Sequence, residues 1–339
     1  MRWSDNGARF DVTLYGTITF TDDLTDVQTL SDGGSFTMRD WSSIVPHTVE
    51  IKSNGGTISR EYFVAGVSRG WTDEGRRFLA SQLPLLVRHS GLGAEARVKS
   101  IFAKKGVAGV LEEIDLLGSD YARRLYFVAL LETARLDSSG VVPVFQRVAQ
   151  RMTSDYDRRQ VLEHVASRIK LDQRGASAYV QAMAAMKSDY DQRQALNALT
   201  KSGAGLDGDA AFQAVSHMKS SYDKRMVLTE IIQRGNLSTE TRRALLKSVA
   251  EMQSDYDRRQ VLTTYVQKLA VDAPVRDAFF AAVDAMRSDY DRAEILLAFL
   301  GSRSVDSASH AAFVASAERL RSSYDQNRVL AALVKSERR

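Results

Sequence analysis

The residues best placed to do chemistry in this sequence recur. The string Ser-Asp-Tyr-Asp-Arg-Arg-Gln-Val-Leu starts at Ser154 and returns unchanged at Ser254. Its tyrosine stands at Tyr121, Tyr156, Tyr190, Tyr222, Tyr256, Tyr290 and Tyr324, at spacings between 32 and 35 residues. Carboxylates flank most of these rings, and Arg124, Arg159, Arg193, Arg225 and Arg259 stand three residues beyond their tyrosines. Stacked repeats would align them as a Tyr/Arg ladder. Its contact area and forked hydrogen bonds suit an extended peptide, an acidic partner, a nucleic acid or another anionic polymer. The same residues can serve the fold instead, with tyrosine wedged between repeats and arginine paired with the neighbouring repeat's aspartate. Asp is interleaved at nearly every Arg, so little net field is left over and the structural role is favoured. Nucleic-acid binding would call for an excess of base along one face, and this pattern alternates.

Other chemistries find less support. Asp-Tyr-Asp spaces two carboxylates as several calcium loops begin, but the third oxygen ligand, the central glycine and the distal glutamate are missing. The 339 residues include no cysteine, which excludes a disulfide scaffold, a thiolate zinc site, an iron–sulfur cluster and a cysteine nucleophile. His47, His89, His164, His217 and His310 form no pair at metal-ligand spacing, and no phosphate-binding glycine loop or Gly-x-Ser-x-Gly is present. The expectation is a non-enzymatic chain with no cofactor and no metal. An enzyme would need a pocket where the amino-terminal domain meets the first helices.

The elements that must carry the ladder are helices. Serine stands two residues before every tyrosine (Ser119, Ser154, Ser188, Ser220, Ser254, Ser288, Ser322), and in six copies an aspartate follows it by three. Ser-x-x-Asp ahead of an apolar run resembles a capping box and predicts a helix start. Val161, Leu162, Val165 and Ile169 then share one helical face. Four residues before the tyrosine comes Leu or Met, and six after it Leu or Phe, both expected in the core. A second helix closes each unit, signalled by Pro143, by Pro274 or by Ser238-Thr239-Glu240, after short polar loops such as residues 203–208. Two helices per 34 residues can bury their faces only by stacking, so the prediction is an α-solenoid of about seven HEAT/TPR-like helix pairs. The residue pattern of tetratricopeptide repeats is absent. Ala94–Lys104 and Val107–Leu116 read as a degenerate pair that begins the array, and the helix after Ser322 with the tail Lys335–Arg339 reads as its cap. Only 4 prolines in the chain agree with long uninterrupted elements.

Upstream the period changes from 3.6 to 2. Phe10, Val12 and Leu14 alternate with polar residues, Gly16 interrupts and Ile18 and Phe20 continue the alternation, and Val27–Leu30, Ser35–Trp41, Thr48–Ser53 and Thr57–Val67 follow as strands. Asp32-Gly33-Gly34 and Asn54-Gly55-Gly56 are expected to close tight hairpins. The fold class is therefore α+β: residues 1–90 form a small antiparallel β-domain of about five strands ending in a helix near Asp73–His89, and residues 91–339 form the helical repeats. Residues 1–90 carry 9 basic and 11 acidic side chains, within a whole-chain balance of +4.

Phe20-Thr21-Asp22-Asp23, Asp26-Val27 and Ser31-Asp32-Gly33-Gly34, then Gly93-Ala94-Glu95-Ala96-Arg97-Val98 and the Ser-Asp-Tyr repeats, resemble a region of uncharacterised bacterial proteins. It is similar to soluble regions attached to some BlaR/MecR-type membrane sensor peptidases. The resemblance implies a cell-envelope or periplasmic setting; the peptidase's own His-Glu-x-x-His is absent, so its chemistry is not implied. No apolar run reaches the length of a membrane helix, and the start lacks a signal-peptide core, so the chain is expected to be soluble, with a cytoplasmic setting as the alternative. The expected function is a protein–protein interaction or scaffold module with a protein partner. Nucleic-acid or anionic-polymer binding along the Tyr/Arg ladder, and an enzyme at the domain junction, are the alternatives.

Overall fold

A computed structural model describes residues 2–5, 8–40, 44–204, 207–302 and 306–337. Trp41, Gly205, Leu206, Arg338 and Arg339, which figure in the expectations above, lie outside the described residues. The chain divides into two compact units, Met1–Leu136 with Gln150–His164, and Asp137–Ala149 with Val165–Arg339.

In the first unit, strands β1 (Arg2–Asp5), β2 (Ala8–Tyr15), β5 (Ser35–Asp40), β6 (His47–Asn54), β7 (Thr57–Val64) and β8 (Val67–Ser68) form one antiparallel sheet in the order β1-β2-β5-β6-β7-β8. Strands β3 (Ile18–Phe20) and β4 (Val27–Leu30) pair only with each other, as a ribbon inserted between β2 and β5. Period-2 alternation sends Phe36, Met38, Val49, Ile51 and Tyr62 to one face, where they meet Leu79, Leu83, Leu86 and Val87 of helix α1 (Asp73–Ser90). Asn54-Gly55-Gly56 closes the β6–β7 hairpin with both glycines at positive φ, as expected. Asp32-Gly33-Gly34 does not close a hairpin. It is the corner where the chain leaves the ribbon for the main sheet, with Gly34 N–H donating to the Ser31 carbonyl at 2.8 Å. The single strand expected over Thr57–Val67 is broken at Ala65 and Gly66, both at positive φ, which start β8.

Helix α2 (Ala94–Asp115) bends out of helical geometry at Gly106, φ 62° and ψ −160°, between the two segments expected there. Helices α3 (Asp120–Thr133) and α5 (Asp155–Ala166) bring the first two tyrosine motifs. In sequence α3 is followed by α4 (Val142–Arg151), most of which belongs to the second unit, with Pro143 in its first turn.

The second unit is a helical array. It contains α6 (Gln173–Ala184), α7 (Asp189–Lys201), α8 (Gly208–Val215), α9 (Ser221–Arg234), α10 (Thr239–Ala250), α11 (Asp255–Lys268), α12 (Ala273–Asp284), α13 (Asp289–Leu300), α14 (Ser307–Glu318) and α15 (Ser323–Glu337). Motif-bearing first helices pack on one another, α7 on α9, α9 on α11, α11 on α13 and α13 on α15, while second helices pack α6 on α8 and α10 on α12 on α14. Core positions fall as the periodicity requires. Met186, Met218, Met252, Met286 and Leu320 are buried before the tyrosines, and Leu196, Leu228, Leu262 and Leu296 after them.

Candidate functional site

Every motif serine caps its helix. Ser188, Ser220, Ser254 and Ser288 Oγ accept the N–H of Asp191, Asp223, Asp257 and Asp291 at 3.2 Å, and Ser119, Ser154 and Ser322 do the same in their helices. The aspartate after the tyrosine has a further task that a capping box does not foresee. Its carboxylate receives the arginine of the preceding repeat: Arg124 to Asp157 at 2.7 Å in the first unit, and Arg193 to Asp223 at 2.6 Å, Arg225 to Asp257 at 2.6 Å and Arg259 to Asp291 at 2.9 Å in the second. Arg159 pairs with Glu163 at 3.0 Å on its own helix. The last rung reverses polarity. Ala293 stands where the sixth arginine would be, and Arg328 of the final repeat donates back to Glu294 at 2.8 Å.

The residue before the tyrosine ties the same repeats through backbone. Asp189 Oδ2 accepts the N–H groups of Lys219 and Ser220, Asp255 those of Arg287 and Ser288, and Asp289 those of Arg321 and Ser322, all at 2.6–3.0 Å. Ser221 Oγ takes this role toward Gln253 and Ser254. In the first unit Asp120 accepts from Thr153 and Ser154. Burial works to raise the Asp120 carboxyl, but those N–H groups and the Arg123 guanidinium outweigh it and hold it below the usual carboxylate range.

Two residues beyond the tyrosine the side chain turns inward. Arg158, Gln192, Lys224, Arg258 and Arg292 are all buried. Arg258 donates to the carbonyls of Val249, Ala250 and Met252, so a cation closes the negative end of the preceding second helix. Gln192 does this without charge, donating to the Met186 carbonyl at 2.7 Å. At Lys224, burial pulls the ammonium below its usual range against the opposing pull of Glu251 and Asp189. Four of the five residues in Asp-Tyr-Asp-Arg-Arg are therefore spent on joining elements, and the carboxylates that might have suggested calcium are already engaged.

The tyrosine is the fifth, and it is not wedged. Tyr121, Tyr156, Tyr190, Tyr222, Tyr256 and Tyr290 are each 48–54 % exposed. The ladder arginines stand over their rings, Arg193 at 5.3 and 5.5 Å from the centres of Tyr190 and Tyr222, Arg225 at 5.1 and 5.8 Å from Tyr222 and Tyr256, and Arg259 at 5.4 and 5.5 Å from Tyr256 and Tyr290. Arg124 bridges Tyr121 and Tyr156 in the first unit, and Arg159 lies over Tyr156. The rings are held in register by cations whose charge is already neutralised.

Two polar features lay unread in the sequence. Four and seven residues beyond the tyrosine, on its own helix face, stand Gln194 and Asn197, Met226 and Thr229, then Gln260 and Thr263. Aligning the repeats at those offsets would have found them. On the second helices, Arg242 pairs with Asp272 at 3.0 Å and Arg276 with Asp306 at 2.6 Å, a second set of links at N-cap aspartates that recur at the repeat spacing.

Within the first unit a cavity of about 340 Å³ lies between the tip of the β3–β4 ribbon and helix α2. Several of its charged groups hold one another: Lys104 pairs with Asp22, and Arg88 and Arg97 both reach Glu113 Oε1, at 3.4 and 3.1 Å. Among the described residues no cluster of three or more His, Asp or Glu side chains is arranged to hold a metal ion, and no helix is long and apolar enough to cross a membrane. No protein-family model, curated protein or solved structure matches the chain.

Proposed function

We propose that the chain is a non-enzymatic protein-interaction module, an α-solenoid of about seven HEAT/TPR-like repeats whose first-helix tyrosines engage a protein partner. The observation that carries this reading is the division of labour inside the motif. Asp and Arg are consumed in joining repeats, while the tyrosines stay half exposed and fixed in a row. Rigid tyrosines supply contact area at low cost in side-chain entropy. Neutralised arginines offer little to a polyanion, which favours a protein over nucleic acid. The resemblance to sensor-attached regions supports an envelope setting for that partner.

The test is capture from membrane and soluble fractions of the source cell with the full chain and with a Tyr222→Ala/Tyr256→Ala variant. A protein retained by the first and lost by the second, at equal thermal stability, is the expected result. Equal retention, or no retained protein, contradicts the proposal.

A further inference from the structure

One motif departs from the others at the side chain that turns inward, and a cleft opens beside it. In the motifs of Arg123, Arg158 and Arg258 the guanidinium donates to the carbonyl four residues before the tyrosine, that of Leu117, Met152 or Met252. It also pairs with Oδ1 of the aspartate just before the tyrosine, Asp120, Asp155 or Asp255, at 2.7, 3.2 and 2.8 Å. Arg258 reaches the Ala250 carbonyl as well, at 3.0 Å. In the Tyr190 motif Gln192 takes this place, with fewer N–H donors and a shorter reach. Its Nε2 lies 2.7 Å from the Met186 carbonyl and 2.9 Å from His217 Nε2, while its buried Oε1 accepts no hydrogen bond. Asp189 Oδ2 is held by the N–H groups of Lys219 and Ser220; its Oδ1, which carries the guanidinium in the sister motifs, has no hydrogen-bond partner among the described residues, and Lys224 acts on it only at longer range. A cleft of about 640 Å³ lies here, lined by Ala184, Met186 and Asp189, the counterparts of the Ala250, Met252 and Asp255 that hold Arg258, and by His217.

We infer that the cleft beside Gln192 binds a guanidinium group brought by a ligand, held by Asp189 Oδ1 and the carbonyl end of α6 as Arg258 is held in its own motif. The groups left unmet around Gln192 are acceptors, so the occupant must be rich in donors. A planar fork of N–H groups answers acceptors that one carboxamide does not reach, and its charge suits a carboxylate and a helix C-terminus. Ala184, Ala185 and Met186 give an apolar wall for the methylene stem of an arginine. The exposed Lys187 and Lys219 also line the cleft, but Arg292 is held with Arg287 and Arg321 at the corresponding positions, so cations there do not bar a guanidinium. The source is an arginine side chain of a polypeptide or a small free guanidine, which bring the same group. The site uses none of the tyrosines and does not depend on the role proposed for them.

The test titrates methylguanidinium and methylammonium into the full chain at equal ionic strength, followed by ligand-observed NMR. The expected result is saturable binding of methylguanidinium, at least about tenfold tighter than methylammonium, as the loss of one charge-assisted hydrogen bond implies. Gln192→Arg/His217→Ala copies the Arg258/Ala285 arrangement of the later motif, so that the chain's own guanidinium enters the cleft. In that variant the thermal midpoint should rise by about 2–4 °C and methylguanidinium binding should fall at least about tenfold. Asp189→Asn, which keeps an acceptor for the N–H groups of Lys219 and Ser220, should weaken binding by a similar factor and serves if the first variant folds poorly. Nα-acetyl-arginine methylamide and free arginine separate the two sources. Tighter binding of the first assigns the group to a polypeptide, tighter binding of the second to a free guanidine, and either order upholds the site. Absence of saturable methylguanidinium binding, binding no tighter than that of methylammonium, or undiminished binding in both variants overturns the inference.

Discussion

The β-sheet region and the helical repeats solve the same problem by opposite means. In the sheet region one apolar cluster draws on strands far apart in sequence, with Phe36, Met38, Val49, Ile51 and Tyr62 meeting α1, and backbone ladders set the register of the strands. In the repeats each helix pair has an apolar seam, but neighbours are indexed by polar side chains. These are a carboxylate on the next repeat's backbone, an arginine on the next repeat's aspartate, and a buried cation at a helix end. A shared core ties distant segments into one cooperative unit, whereas a polar index repeated every 34 residues fixes the step between neighbours and leaves one residue per motif for other work.

That contrast can be broken at either end. The largest effect is expected in the sheet core. Phe36→Ala removes a fully buried ring and should destabilise the sheet region by about 3–5 kcal/mol, read by chemical denaturation followed through tryptophan fluorescence, since all three tryptophans lie in residues 1–90. Next comes the index. Arg225→Ala leaves the Asp257 carboxylate mostly buried without its guanidinium and strips a cation from two rings, a loss of about 2–3 kcal/mol in the second unit by far-ultraviolet circular dichroism.

Acid should act more gently, and the index is among the places where it acts. The Asp120 carboxyl sits below its usual range in the fold, so its contribution is complete above the unfolded value near pH 4 and is lost as pH falls through the lower folded value. Asp209, where burial works to raise the carboxyl but hydrogen bonds from Ser238 and Thr241 prevail, carries the same sign. The thermal midpoint is expected to be nearly flat from about pH 7 to 5 and to fall below about pH 4, less steeply in Asp120→Asn. A midpoint that rises on acidification would contradict the assignment.

Much of the array was legible because its signals are local. Serine caps, the 3.6 period and the 34-residue spacing each act within a turn or two of the chain, and Ser254, Val261 and Leu262 sit where they imply. The sheet was less legible because pairing is non-local. Nothing near Asp32-Gly33-Gly34 says that β4 belongs to a separate ribbon, since β5 pairs with β2 across the insertion. At the ladder, alternation of charge correctly suggested Arg–Asp pairing, but not that the ring between them would remain exposed. That outcome depends on how far the arginine reaches across to the next helix. The polar row at Gln194 and Gln260 escaped notice because one isolated glutamine on a helix carries no signal, and only the repeat makes them a row.

The central claim is that the motif's charges hold the repeats together while its tyrosines are free to bind. Comparing Arg225→Ala with Tyr256→Ala by urea denaturation tests it most directly. The account predicts that the arginine variant loses at least about 2 kcal/mol and the half-exposed tyrosine variant about 1 kcal/mol or less. A tyrosine loss equal to or larger than the arginine loss would make the ring a structural wedge and contradict the account.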